Sequence, residues 1–376
     1  MRLDFATDSF VFGGCPRPGF PLLTGDNFKP LEPFHSFLVY KLLEEGTPFK
    51  RLSQRTYGER LWDYASFLHG QDLQWDVDCA SPGQGPVIYY RDWLRSPGQN
   101  VGASTANDRL RIVIEMYKWA HKTGRIQALP FNVQDTSPTR EESAYEHYPQ
   151  ARSRTGPLLS EYEAPLAFLT KPQVAAVRDA QLHPTHRLMF EMAGRTGMRS
   201  SEIRTFPTKY VFDPRAQPGL SPTGVVRVGL SPQDMELKFN KGRIIEIPCS
   251  LMTQMHVYKT CYRDALAGHS PGAASLLLTA RGHPFGKDAV VEAFTALSKA
   301  SGIYVRAHLM RHSFAIHFLL ALRNAPDYRG NPLEHLMTQL GHSNIQSVMV
   351  YLRHIGIADN ATNVAIQTQL DDIFAT

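Results

Sequence analysis

Two short C-terminal segments carry residues able to do chemistry on a phosphate. They are His308-Leu309-Met310-Arg311-His312, and Gly341-His342-Ser343-Asn344 followed by Tyr351. Arginine grips a phosphate through two parallel hydrogen bonds. Histidine moves protons near neutral pH. A tyrosine hydroxyl can attack phosphorus and hold it covalently. Together these types suit phosphoryl transfer to a tyrosine. Each alone is ordinary: a lone histidine is most often a satisfied core or surface residue, and a lone tyrosine usually packs. The joint spacing therefore carries the reading.

Two upstream segments extend the set. In Thr196-Gly197-Met198-Arg199-Ser200-Ser201-Glu202-Ile203, a glycine shortly precedes an arginine at a helix start. That places a guanidinium beside free backbone N–H groups, a natural phosphate site. Glu202 stands three residues on and can brace the arginine, although exposed Arg–Glu pairs are common. The second segment is Lys238-Phe239-Asn240-Lys241-Gly242-Arg243. It lies between the β-branched, alternating runs Val225–Leu230 and Ile244–Ile247, with Asn240-Lys241-Gly242 as a turn signal. A small antiparallel sheet inserted among helices is expected there.

The elements that must position these residues fall into two groups. The chain has 376 residues, enough for two domains. A hydrophobic content of 43% with 20% charged residues fits a soluble globular protein. The net charge of +5 permits a polyanionic partner without requiring one. Cys15, Cys79, Cys249 and Cys261 are far apart and form no CxxC pair, which favours reduced thiols over a disulfide frame or zinc site. The N-terminus lacks the apolar core of a signal peptide, and no apolar run is long enough to span a bilayer. A cytoplasmic, nucleoid-associated location is expected.

Residues 1–30 are rich in Gly, Pro and Phe and read as an irregular extension. Residues 31–130 read as a helical domain. Phe34, Phe37, Leu38 and Leu42 form one stripe, and Tyr57, Leu61, Tyr64 and Phe67 a second. A shorter third runs from Val87 to Leu94. The clearest helix has Ser104 or Thr105 available as a cap and Gly124 as a stop. Leu110, Val113, Tyr117 and Ala120 line its apolar face, while Arg111, Lys118, Lys122 and Arg125 lie off it. Those four are either an ordinary solvated face or a set of phosphate contacts. Residues 131–160 lack periodicity and read as a linker. Residues 161–376 form the second domain. Thr170 and Gln173 stand at capping-box spacing, with Pro172 in the first turn. A further helix follows from about Pro184. After Pro248 the pattern is helical again, interrupted near 268–286 and 323–331. Val364, Ile366, Leu370, Ile373 and Phe374 form an apolar tail.

These motifs, in this order, resemble the tyrosine recombinase (phage integrase) family over about residues 165–355. Thr-Gly-Met-Arg199-Ser-Ser-Glu is similar to that family's first arginine motif, and Lys238-Phe-Asn-Lys241-Gly-Arg243 to its β-hairpin lysine motif. His308-Leu-Met-Arg311-His312 is similar to its His-x-x-Arg-His box. Leu340-Gly341-His342 and Tyr351, nine residues after the histidine, are similar to its final histidine and nucleophile. Two departures stand out: the length of 208–235 and that of 323–331. The implied fold is mainly α with a small antiparallel β-sheet. It has a helical core-binding domain and an α+β catalytic domain. The implied activity is site-specific DNA cutting and rejoining through a 3′-phosphotyrosyl intermediate, with no metal or nucleotide cofactor. The implied catalytic residues are Arg199, Lys238, His308, Arg311, His342 and Tyr351. Lys241 rivals Lys238, which aligns better from the front of the motif; His312 reads as a structural residue. Arg111, Lys118, Lys122, Arg125, Lys241 and Arg243 are the expected DNA contacts. The expected partners are double-stranded DNA carrying recombination sites, and a homotetramer or an assembly with related recombinases. A mobile-element enzyme is the leading expectation. A chromosome-dimer resolvase, a type IB topoisomerase-like enzyme and a noncatalytic DNA-binding protein remain as alternatives.

Overall fold

The structure is a computed structural model. It describes residues 1–25, 27–45, 51–77, 84–132, 156–161, 166–180, 183–268, 274–342, 345 and 348–352. The chain divides into two compact units, Met1–Glu163 and Ala164–Thr376. Among the described residues no helix is long and apolar enough to cross a membrane. Cys15, Cys249 and Cys261 are free thiols, and Cys79 lies outside the described residues.

The first unit opens with four short strands: β1 (Arg2–Phe5), β2 (Val11–Phe12), β3 (Cys15–Pro16) and β4 (Pro21–Thr24). β1 pairs antiparallel with β4, and β2 with β3. The irregular extension expected for residues 1–30 is therefore not observed. Phe20 and Leu23 are buried in the core of this unit, and their burial gives the strands something to pack on. The helices are α1 (Phe34–Val39), prolonged by a π-helical turn over Tyr40–Glu44, then α2 (Arg51–Gly70), α3 (Pro86–Arg95) and α4 (Ala103–Lys122). The apolar stripes face inward: Phe34, Phe37, Leu38 and Leu42 are buried, as are Leu61, Tyr64 and Phe67, while Tyr57 is half-buried. In α4, Leu110, Val113, Tyr117 and Ala120 are fully buried. Its N-cap is Gly102, two residues before Ser104 and three before Thr105, the expected caps, and no side chain caps it.

Part of the expected linker is anchored. Asn107 is buried on α4, where its amide donates to the Leu159 carbonyl at 2.9 Å and accepts the Leu159 N–H at 2.8 Å. The Gly156 N–H reaches the Asn132 carbonyl at 3.0 Å. A buried amide satisfied on both sides ties residues 156–161 to the first unit.

The second unit comprises α5 (Lys171–Asp179), α6 (Pro184–Thr196), α7 (Ser200–Arg204), β5 (Val225–Leu230), β6 (Arg243–Pro248), α8 (Cys249–Tyr258), α9 (Asp264–Ala267), α10 (Ala289–Ser301), α11 (Ala307–Arg323) and α12 (Pro332–Leu340). The Thr170 N–H donates to Gln173 at 2.9 Å, which closes the predicted capping arrangement of α5. α6 and α11 pack against each other through the centre, and α12 packs on both α11 and β6. β5 and β6 pair antiparallel from Val225↔Pro248 to Leu230↔Arg243. Their alternation puts Val226, Val228, Leu230, Ile245 and Ile247 into the core. The tight turn expected at Asn240-Lys241-Gly242 is instead the end of a longer connection over residues 231–242. A separate apolar cluster joins Phe314, Ile316 and Leu319 of α11 to Leu336 and Leu340 of α12, and to Val348 and Tyr351. Residues 348–352 are helical. The apolar tail Val364, Ile366, Leu370, Ile373 and Phe374 lies outside the described residues, as do Ser343 and Asn344.

Candidate active site

The site is built where two helices end. α6 stops at Thr196, and Gly197 follows in the left-handed region at φ 69°. A Cβ at Gly197 would sit 2.6 Å from both Leu340 and Phe314, so a side chain is excluded by space as well as by conformation. Gly341 ends α12 at φ 64°, and a Cβ there would meet the Arg243 side chain at 2.6 Å. These two glycines bring the exposed carbonyl ends of α6 and α12 together. Arg311, buried on α11, donates to the Gly197 carbonyl, and to the Leu340 carbonyl at 2.7 Å. A cation there satisfies groups the helices leave unpaired and meets the negative ends of their dipoles. Burial, with Arg199 next in effect, lowers the Arg311 pKa to about 10, so it stays charged at neutral pH.

Arg199 caps α7. Its N–H reaches Glu202 at 2.9 Å, its guanidinium reaches Glu202 at 3.1 Å, and its other arm reaches the Gly341 carbonyl at 3.4 Å. Glu202 is wholly buried and also receives both arms of Arg243, at 2.8 and 2.7 Å. Burial alone would raise the Glu202 pKa. The hydrogen bonds and charges of Arg243 and Arg199 outweigh it and hold the group below the ordinary value.

Arg243 thus differs from the expectation of a DNA contact. Its side chain is only 9% exposed, forked on Glu202, and its Nε donates to the Gln339 carbonyl at 3.2 Å. A guanidinium with its donors engaged in a buried bidentate pair is a structural brace. Gln339, silent in the sequence, is also buried. Its side chain links the Glu246 N–H (2.8 Å), the Glu246 carbonyl (3.0 Å) and the Thr196 carbonyl (3.1 Å).

One cleft of about 570 Å³ is lined by Arg199, Lys238, His308, Arg311, His342 and Tyr351 together. Lys241 does not reach it and lines the adjoining cleft with Arg243. The Lys238 ammonium lies 5.0 Å from the centre of the Phe239 ring. Tyr351 is 3% exposed, with its ring in the α11–α12 cluster and its hydroxyl 3.1 Å from His312 Nδ1. Burial raises the phenol pKa, against the pull of Arg311 and Arg199. His312, one turn after His308, lies with its ring centre 4.1 Å from the His308 ring. Burial, then the charges of His308 and Arg311, push His312 down to about 4. Burial, then Arg311 and Arg199, do the same to His342. His308 is lowered too, by burial first and Arg311 next. The imidazoles are therefore neutral at pH 7. A neutral His312 with an unprotonated Nδ1 accepts the phenol proton as a hydrogen bond. Nδ1 of His342 is buried without a hydrogen-bond partner among the described residues.

The remaining cationic candidates belong to the first unit. Lys118 and Lys122 are exposed on α4. Arg111 is paired with Asp108 at 2.7 Å and Glu161 at 2.9 Å, and Arg125 lies over the Trp119 ring at 4.9 Å.

Residues 168–355 match the phage integrase family. No curated protein sequence matches the chain. Several solved structures share its fold at low identity. The XerH site-specific recombinase bound to palindromic difH substrate, a post-cleavage complex, is 14% identical with a TM-score of 0.57, over 88% of this chain and 84% of that one. The Tn1549 transposon integrase in complex with transposon right end DNA is 14% identical with a TM-score of 0.56, over 85% and 93%. A lambda integrase dimer bound to a COC′ core site is 16% identical with a TM-score of 0.53, over 84% and 94%. With half the chain matched by the family's sequence pattern and the arginine, lysine, histidine and tyrosine motifs converging on one cleft, this chain belongs to the phage integrase family of tyrosine-type site-specific DNA recombinases.

Proposed function

We propose that the chain cuts and rejoins DNA at specific sites through a 3′-phosphotyrosyl intermediate on Tyr351, for a mobile element. The observation that carries this reading is the Tyr351 hydroxyl lying in the same cleft as Arg199 and Arg311. The Tyr351 oxygen attacks a backbone phosphorus, the P–O5′ bond breaks, and a free 5′-hydroxyl leaves. The phosphotyrosine conserves the energy of the phosphodiester, so a second 5′-hydroxyl reverses the step. Arg199 and Arg311 neutralise the extra charge on the nonbridging oxygens, each worth about 3–4 kcal/mol as preorganised donors. Lys238 protonates the leaving 5′-oxygen. His308 bonds the phosphate or takes the tyrosine proton, and His342 orients the phosphate. His312 holds the Tyr351 hydroxyl. Arg243 supports Arg199 through Glu202 rather than touching DNA.

A suicide substrate nicked beside the cleavage point tests the chemistry. A covalent protein–DNA adduct mapping to Tyr351 by peptide mass spectrometry is expected. Absence of an adduct on every candidate site would leave a noncatalytic DNA-binding role. Whether plasmids with paired sites recombine or merely relax separates recombinase from topoisomerase.

For DNA contact by α4, the double change Lys118→Ala with Lys122→Ala should weaken binding and reduce the slope of log affinity against log salt by about 2. An unchanged slope removes α4 from the interface. For the proposed tetramer, a chain ending at Asn363 should keep its fold as a monomer and lose assembly on DNA, as read by light scattering. Unfolding on truncation would place the apolar tail on its own core instead.

A further inference from the structure

The β5–β6 connection contains two successive residues in the left-handed region, Phe239 at φ 61° and Asn240 at φ 54°. Asparagine tolerates that region. A bulky residue such as phenylalanine does not, because its Cβ crowds the neighbouring carbonyl. Core packing does not account for the strain, since Phe239 is 59% exposed. Glycine would adopt the same backbone without cost. A strained residue held in place beside a reactive cleft points to a use for its side chain. That side chain lines the cleft of Tyr351 and the adjoining one, and its ring lies 5.0 Å from the Lys238 ammonium. Lys238 and Phe239 are both exposed, and no salt bridge to Lys238 is found among the described residues.

We infer that Phe239 is a positioning residue for Lys238, its aromatic face keeping the ammonium at the cleft so that proton delivery to the leaving 5′-oxygen depends on it. The inference rests on the phosphotyrosyl reading above. An ammonium over an aromatic face is held by the ring's quadrupole while keeping all three donors available. A carboxylate in the same place would engage those donors. The left-handed backbone turns the side chain of residue 239 back beside that of residue 238, which an extended strand would place on opposite faces.

The test compares Phe239→Leu, which keeps bulk and removes the aromatic face, with Phe239→Gly, which also removes the backbone strain. Single-turnover adduct formation is measured on a nicked substrate with an ordinary phosphodiester, and on one with sulfur replacing the bridging 5′-oxygen. A thiolate leaves without being protonated, so the sulfur substrate does not need the lysine. Both variants should cleave the ordinary substrate more slowly, by about 3- to 30-fold. Both should match the parent on the sulfur substrate, as should Lys238→Ala. Phe239→Trp should restore the ordinary rate, and Phe239→Gly should melt no lower than the parent. A defect that persists on the sulfur substrate, or that appears as weaker DNA binding, makes Phe239 a groove contact and overturns the inference. So does an unchanged rate, or a melting loss in Phe239→Gly. A parent that forms no adduct on either substrate overturns the phosphotyrosyl reading and this inference with it. A parent that reacts while the variants match it overturns the inference alone.

Discussion

Tyr351→Phe should form no covalent DNA adduct at all, while folding and binding DNA as the parent does. The separation is expected because the ring and the hydroxyl have different tasks. The ring belongs to the apolar cluster of Phe314, Leu319, Leu336, Leu340 and Val348, and phenylalanine keeps that burial. Among the described residues the hydroxyl hydrogen-bonds to His312 at 3.1 Å, a contact worth about 1 kcal/mol to stability. The melting temperature should therefore shift by only a few degrees, and affinity for the site should hold. A denaturing gel reads the adduct and an electrophoretic shift reads binding. Persistence of an adduct in this variant would assign the nucleophile to another residue.

Glu202→Ala should lose about 3–5 kcal/mol of stability, because it removes one partner of a buried charge cluster and strands the others. Glu202 has no exposed surface, and Arg243, which forks onto it, has a side chain only 9% exposed. The alanine leaves that guanidinium without a counter-charge and frees Arg199 from its brace. Cleavage should fall with stability, and any variant protein that remains folded should still cleave slowly. The pH dependence follows from the depressed pKa. A carboxylate held below its ordinary value of 4.5 contributes stability that is fully present above that value. The contribution is lost as the pH falls below 4.5 towards the depressed folded value. The parent should show this acid-side loss in urea midpoints, and Glu202→Ala should lack that part of it. A loss below about 1 kcal/mol at pH 7 would show that Arg243 finds another partner.

Much of the site was legible before folding was considered. Arg311 and His308 stand three residues apart, and that spacing puts them one turn apart on a helix. Glu202 is likewise one turn from Arg199, and the brace between them forms as read. The alternation in Val225–Leu230 and Ile244–Ile247 marked both runs as strands, because side chains in a strand have a period of two. The connection between those strands is longer than its sequence suggests, because Asn240-Lys241-Gly242 is a good turn signal locally and nothing local announces the residues before it. Arg243 reads from the sequence as a DNA contact. The direction of its side chain depends on Glu202, which sits 41 residues away. His312 reads as structural in the sequence because its partner, Tyr351, is 39 residues away.

By itself the sequence determined the chemistry available and the local elements that carry it: two arginines, a lysine, histidines and a tyrosine on helix starts, one helical face and a strand pair. Those follow from residue type and from the helical and strand periods, which act over a few residues. Only the tertiary structure decided which of these groups share a cleft, which are braces and which atoms lack partners. Arg199 meets the Gly341 carbonyl across 142 positions, and Arg311 meets Gly197 across 114. Contacts at such separations are set by how α6, α11 and α12 pack and where their glycines let them close. Packing is a property of the whole unit and leaves no trace in any short stretch of chain.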